Sequence, residues 1–192
     1  MRRPTTLLFF LLASASALIM AHAQSPEAVP KPGAEVKKLA VMVGKFTNEG
    51  EVKAGAFGPN SPMLKVSGTD ECRWTAGGFG LVCTETVDIG GTKEIETDVV
   101  YYDPIAKQYE YHGIRNTGET NNQTGAVSGD TWTWLGQGSL GQKTFHTRYI
   151  MKVVSADSYE YTEDWGEGDQ PMQHGMSGKC TRVAATKPAA WH

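Results

Sequence analysis

Cys72-Arg73-Trp74-Thr75-Ala76-Gly77-Gly78-Phe79-Gly80-Leu81-Val82-Cys83 reads as a β-hairpin, and the rest of the fold follows from it. Two adjacent glycines accept the positive φ angles that a two-residue hairpin turn demands. With Gly77-Gly78 as the turn, Ala76 faces Phe79, Trp74 faces Leu81 and Cys72 faces Cys83. Directly opposed residues hold their Cβ atoms about 4.5–5.5 Å apart. A disulfide needs about 3.5–4.5 Å, so a bulge would decide between registers. The chain has three cysteines, which allow one bridge and one thiol. The hairpin favours Cys72–Cys83, with Cys180 joined to either as the alternative.

The same rhythm runs outward in both directions. Short stretches of β-forming residues alternate with Gly, Asp, Asn and Pro turns from Val43 to Val183, with almost no helical periodicity between them. Strands are predicted over 46–52, 63–75, 79–88, 93–102, 108–115, 120–128, 131–136, 143–154, 158–165 and 171–183. Consecutive hairpins of this kind predict an all-β, antiparallel up-and-down barrel of 8–10 strands, and a barrel of that size encloses one small ligand. Ahead of the first strand, Val36, Leu39, Ala40 and Val43 recur at helical spacing and predict one short helix over 35–43, ended by Gly44. A helix so short needs packing to persist, which suggests that it plugs an open end of the barrel.

The two ends of the chain are read separately. Arg2 and Arg3, an apolar run from Leu7 and the small residues of Ala21-His22-Ala23 predict a signal peptide over 1–23. A Pro-rich tether is expected over 24–34, the barrel domain over 35–183 and a tail over 184–192. The formal charge is −3, and removing Arg2 and Arg3 takes it to −5. No Lys/Arg cluster supplies a nucleic-acid footprint or an anionic-lipid anchor. No integral membrane segment is expected once the leader is cleaved, and a periplasmic or secreted location follows. The sequence carries nothing on oligomeric state.

Several residues together resemble a known group. They are Gly44-x-Phe46 after a short helix, Trp74-x-x-Gly77-Gly78-Phe79-x-Leu81, Tyr102-Asp103 before a turn, Tyr109, and Thr181-Arg182 at the end. Over roughly 37–183 the chain resembles the bacterial lipocalin-like domain family of unknown function in the calycin superfamily. The resemblance implies a calycin barrel with an internal cavity and no established chemistry. It also implies that Phe46, standing where calycins carry Trp, packs against Arg182 to close the barrel. The segment Gly44-x-Phe46-x-x-Glu49-Gly50-Glu51 is similar to the opening of the nitrobindin haem barrels as well. No histidine here matches their haem ligand by motif.

Strand alternation sorts the candidate site residues by face. Phe145, Thr147, Tyr149 and Met151 form one side, read as core, with His146 and Arg148 on the solvated side. Met172, His174, Met176 and Cys180 share a face with Arg182, making His174 the candidate inward histidine. Trp74, Tyr111, Trp132, Trp134, Tyr149 and Tyr161 are the aromatic candidates for a cavity wall, since a polar-tipped aromatic gives apolar area plus a hydrogen bond. They are also ordinary strand formers. Glu163 shares the face of Tyr159, Tyr161 and Trp165, yet a carboxylate is expected to face outward, because burial would raise its pKa.

These readings give an exported barrel binding a small, mostly hydrophobic molecule among Tyr, Trp and Met side chains. The alternatives are an isomerase- or cyclase-type cavity enzyme in which His174 or Glu163 moves a proton, and a haem barrel. No cofactor is otherwise expected. Scattered His112, His146, His174 and Cys180 lack the close pairing of metal ligands, so no metal site is expected.

Overall fold

The hairpin forms in the register read, but Gly78 N–H donates to Thr75 O at 2.9 Å, so Gly77-Gly78 sits in a wider loop over 76–79 rather than in a two-residue turn. Both glycines have positive φ, 84° and 72°, Thr75 N–H donates to Gly80 O at 2.9 Å, and Cys72 lies directly opposite Cys83. The two cysteines are joined in a disulfide, and Cys180 remains a buried free thiol.

A computed structural model of the chain describes residues 30–184. The leader read over 1–23, most of the tether over 24–34 and nearly all of the tail over 184–192 lie outside the described residues. Helix α1 (Ala34–Lys38) takes in Ala34, the last residue of the stretch read as tether. The single helix expected over 35–43 is two pieces, α1 and a 3-10 turn at Leu39–Met42. Ten strands follow. They are β1 (Gly44–Val52), β2 (Leu64–Trp74), β3 (Gly80–Ile89), β4 (Thr92–Asp103), β5 (Gln108–Arg115), β6 (Thr120–Ser128), β7 (Thr131–Leu140), β8 (Lys143–Ser155), β9 (Ser158–Glu167) and β10 (Gln173–Arg182). Strand β7 runs past the expected end at 136. Gly136, Gln137, Gly138 and Ser139 have little strand preference, but they pair on both sides with β6 and β8, and sheet context overrides propensity.

Each strand pairs antiparallel with its chain neighbours, and β10 pairs with β1, so the sheet is a closed barrel. Closure removes the two exposed edges an open sheet would leave. At the seam Phe46 faces Arg182 across β1 and β10. The guanidinium lies 4.4 Å from the Phe46 ring centroid, a cation–π contact. The same guanidinium donates to Val43 O and Val41 O, tying the segment that precedes β1 to the last strand.

The helical segment caps one end. Leu39 is fully buried there, and the Tyr109 hydroxyl donates to Glu35 O at 3.0 Å. Leu39, Phe46, Leu81, Val100, Tyr109, Trp132 and Trp134 belong to the apolar cluster of that end. A smaller cluster around Val52, Val66 and Val87 fills the other. Between the two, charged side chains share the interior with aromatic ones.

Candidate ligand-binding interior

Register builds the site. Asp70 on β2 is opposite Glu85 on β3, Glu85 is opposite Glu96 on β4, and Glu96 is opposite Arg115 on β5. Directly opposed residues share a face of the sheet. These four therefore form one row across four neighbouring strands, and all four line the cavity. One position along, Asp98 lies opposite Cys83 and also lines it. Like charges directly opposite one another destabilise a sheet, so three carboxylates in a row inside a barrel are a costly arrangement that packing alone does not explain.

The interior holds two adjoining spaces of about 140 Å³ and 120 Å³. Each is close to the roughly 150 Å³ cavity that admits a benzene ring. The larger is walled by the carboxylates on one side and by Tyr111, Trp134, Tyr149, Tyr159 and Tyr161 on the other. The smaller is more apolar, with Val52, Ile89, Phe145 and Trp165, and Phe57 stacks on Trp165 at 5.7 Å between ring centroids. Arg115, Asn121, Glu163 and Met176 border both, forming the partition between them.

Hydrogen bonds hold part of the polar band in place. Arg115 Nε donates to Glu96 Oε2 at 2.9 Å, and the Tyr111 hydroxyl donates to Glu96 Oε1 at 2.7 Å. Gly113 makes the latter possible, since a Cβ there would lie 2.1 Å from Glu96 Oε1. Arg115 also pairs with Glu94 at 3.3 Å and Glu119 at 3.2 Å. The Tyr159 hydroxyl donates to Asp70 at 3.2 Å, and the Tyr161 hydroxyl to Asn48 Oδ1 at 2.9 Å. Asp98 is only 5% exposed, and its Oδ1 has no partner. Asn121 Oδ1 is a second buried acceptor without one.

Burial of charge sets the electrostatics. It pushes Glu85 up to about 8, helped by Asp70 and Glu96. Asp98 also rises to about 8, from burial and then from Asp70, Glu96 and Glu85. Burial raises Glu163 to about 7 although Arg115 opposes the shift, and raises Asp70 to about 6 against the Tyr159 hydrogen bond. The Cys180 thiol is pushed up to about 12 by burial, so it is not a nucleophile.

The structure brings six of the sequence-derived candidates together on the cavity wall. They are Tyr111, Trp134, Tyr149, Tyr161, Met176 and Glu163. Glu163 corrects an expectation, for it faces the interior on the same side as Tyr161. Trp132 is buried in the same interior cluster, stacked on Trp134 at 6.1 Å, but lines neither space. Trp74 and Met172, 36% and 37% exposed, do not reach the cavity. His174 does not either. A bulge between His174 and Met176 puts two residues of β10 against one of β9, which turns Met176 inward and His174 outward. Gly175, at the bulge, lies against the Trp165 ring. Outside, His174 Nδ1 is 3.1 Å from Asp164 Oδ1, and Arg148 pairs with the other oxygen of that carboxylate. Although burial pulls the Asp164 carboxyl up, Arg148 and His174 hold it below its ordinary value.

The residues that the sequence reading missed are Asp70, Glu85, Glu96, Asp98 and Arg115. A signal was present. Once Cys72 and Cys83 are placed inside, strict alternation puts Asp70, two before Cys72, and Glu85, two after Cys83, inside as well.

No protein-family model and no curated protein matches the chain. Among solved structures it is similar to Rv2717c from M. tuberculosis, at 17% identity and a TM-score of 0.58, covering 80% of this chain and 99% of that one. It is also similar to the S-type phycobiliprotein lyase CPES from Guillardia theta, at 9% identity and a TM-score of 0.52, covering 79% and 94%. At these identities the likeness concerns the backbone alone. With the ten-stranded closure described above, it shows a lipocalin- or calycin-like barrel fold.

Proposed function

We propose that this chain is an exported barrel that binds one small molecule in its interior. The observation that carries the reading is the unfilled space inside a closed sheet, bordered by aromatic rings on one side and polar groups on the other. Export is supported by the leader read over 1–23 and by the Cys72–Cys83 bridge, a bond typical of oxidising compartments. Among the described residues no helix is long and apolar enough to cross a membrane. The wall revises the expected ligand. Tyr149, Tyr161, Trp134 and Met176 supply apolar area, but the carboxylate row makes a purely hydrophobic guest a poor match.

Methionine methyl signals test the reading by NMR. Met42, Met151 and Met176 line the larger space, whereas Met63 and Met172 are exposed outside it. Small ring compounds, or an adduct found by native mass spectrometry, should shift the first three and leave the last two in place. Shifts confined to Met63 and Met172, or none with any compound, would overturn it.

A proton-transfer enzyme is the second reading, and Glu163 favours it. Its carboxyl, raised by burial to about 7, stands on the wall where it exchanges a proton near neutral pH. Loss of turnover in Glu163→Gln with binding retained would support that role, and unchanged turnover would end it. His174 is outside the cavity and takes no part. The wall offers no histidine to a haem iron. His112, His146 and His174, the histidines among the described residues, line neither interior space.

A further inference from the structure

The cavity wall holds hydrogen-bond acceptors that have no partner. The hydroxyls of Tyr111, Tyr159 and Tyr161 are already donated, to Glu96, Asp70 and Asn48. Asp98 Oδ1 and Asn121 Oδ1 are buried acceptors that receive nothing. A buried acceptor left unpaired costs about 1–3 kcal/mol, and more when charged. Asp70, Glu85, Glu96, Asp98 and Glu163 line this one space, and Arg115 is the only basic side chain among its lining residues. A guest that brings N–H donors and positive charge would satisfy both deficits at once.

A metal ion matches this wall poorly. Among the described residues, the only group of three or more metal-capable side chains with ligand atoms within 4.8 Å of one another is Asp70, Cys72 and Cys83. Two of those atoms are the sulfurs of the disulfide. The carboxylates are strung along the register of β2, β3 and β4 and do not converge on a point. A row of acceptors suits an extended, planar donor group that presents several N–H bonds in different directions. Across the cavity, Tyr149 and Tyr161 stack with centroids 5.6 Å apart, offering ring faces to an aromatic or cationic body.

Resting on the small-molecule reading above, we propose that the guest carries an amidinium- or guanidinium-type cation. Its N–H groups lie along Asp70, Glu85 and Asp98, and its body packs against Tyr149 and Tyr161. Arg115 holds Glu96 back from the guest and closes the far side of the site. The space of about 140 Å³ limits the buried part to little more than one six-membered ring with its charged substituent.

Benzamidine and benzamide, nearly isosteric and differing in charge, provide the test, read by the Met42, Met151 and Met176 methyl shifts and by calorimetry. Benzamidine should bind at least tenfold more tightly than benzamide, and Asp98→Asn and Glu85→Gln should each weaken it about tenfold or more while circular dichroism stays that of a folded barrel. Equal binding of the two compounds, or benzamidine binding unchanged in both variants, would overturn the cation proposal and leave the small-molecule reading standing. Calcium or zinc that displaces benzamidine and binds more tightly would also overturn it, in favour of a metal. If no compound moves the three methyls, the small-molecule reading falls and this proposal with it.

Discussion

Replacing Asp98 by Asn should make the ligand-free protein more stable, and increasingly so as the pH rises. Asp98 is 5% exposed, and its carboxyl is raised from 3.8 to about 8 by burial and by Asp70, Glu96 and Glu85. A carboxyl whose pKa is higher in the folded state binds its proton more tightly there. Its stabilisation is complete below the unfolded value of 3.8 and is lost as the pH climbs toward about 8. Each unit of that interval is worth about 1.4 kcal/mol, so at pH 7 the isolated penalty is about 4 kcal/mol. Asp98 shares the interior with Glu85, Asp70, Glu96 and Glu163, with Arg115 as the opposing charge, and coupled groups spread the titration among themselves. About half of the isolated figure, ~2 kcal/mol, is the expected gain from Asp98→Asn at pH 7. Asn is nearly isosteric, and Oδ1 has no hydrogen bond to lose. Urea unfolding with the disulfide intact, at pH 4, 5.5, 7 and 8, would show a difference near zero at pH 4 that grows toward pH 8. A pH-independent difference, or an Asn variant less stable than the parent at pH 7–8, would refute the placement of an ionisable Asp98 in the interior.

Three further outcomes are expected. The cysteines of the Cys72–Cys83 bridge are 11 residues apart, and a loop of that length stabilises by about 3 kcal/mol in the chain-entropy account; denaturation midpoints with and without reductant should differ accordingly, and coincident midpoints would contradict it. Arg182→Ala removes the contact with Phe46 and the bonds to Val43 O and Val41 O, so unfolding should become easier by about 2 kcal/mol, with Arg182→Lys recovering only part of it; full recovery by Lys would show that charge alone matters at the seam. His174→Ala, outside the cavity on Asp164, should leave the affinity for any interior ligand within about twofold while slightly weakening the β8–β9–β10 face; a large loss of affinity would mean that the bulge at Gly175 does not turn His174 outward.

The barrel itself was legible because its cues are local. Gly77-Gly78, Gly90-Gly91 and Gly129-Asp130 mark turns that need little beyond the residues themselves. The hairpin register that opposes Cys72 to Cys83 follows from counting outward from one of them. The closing pair of Phe46 and Arg182 was reached through the family resemblance, and it holds in the register of β1 with β10. The site was less legible. On β10 one extra residue at the bulge reverses the parity of everything before it, so Met172, His174 and Met176, which alternate evenly in the sequence, do not share a face in the barrel.

The amino-acid sequence by itself bounded the strands at 8–10 and determined their hand-to-hand order, because turns and alternation are properties of neighbouring residues. Only the tertiary structure decided what the barrel holds. Asp70, Glu85, Glu96 and Arg115 are far apart in the chain and become a row only when four strands come into register. Each of these acids taken alone is expected in water, since an isolated buried charge is costly. Their shared position inside a closed sheet is a property of the assembled barrel, where strand pairing fixes the backbone firmly enough to keep charged side chains facing inward.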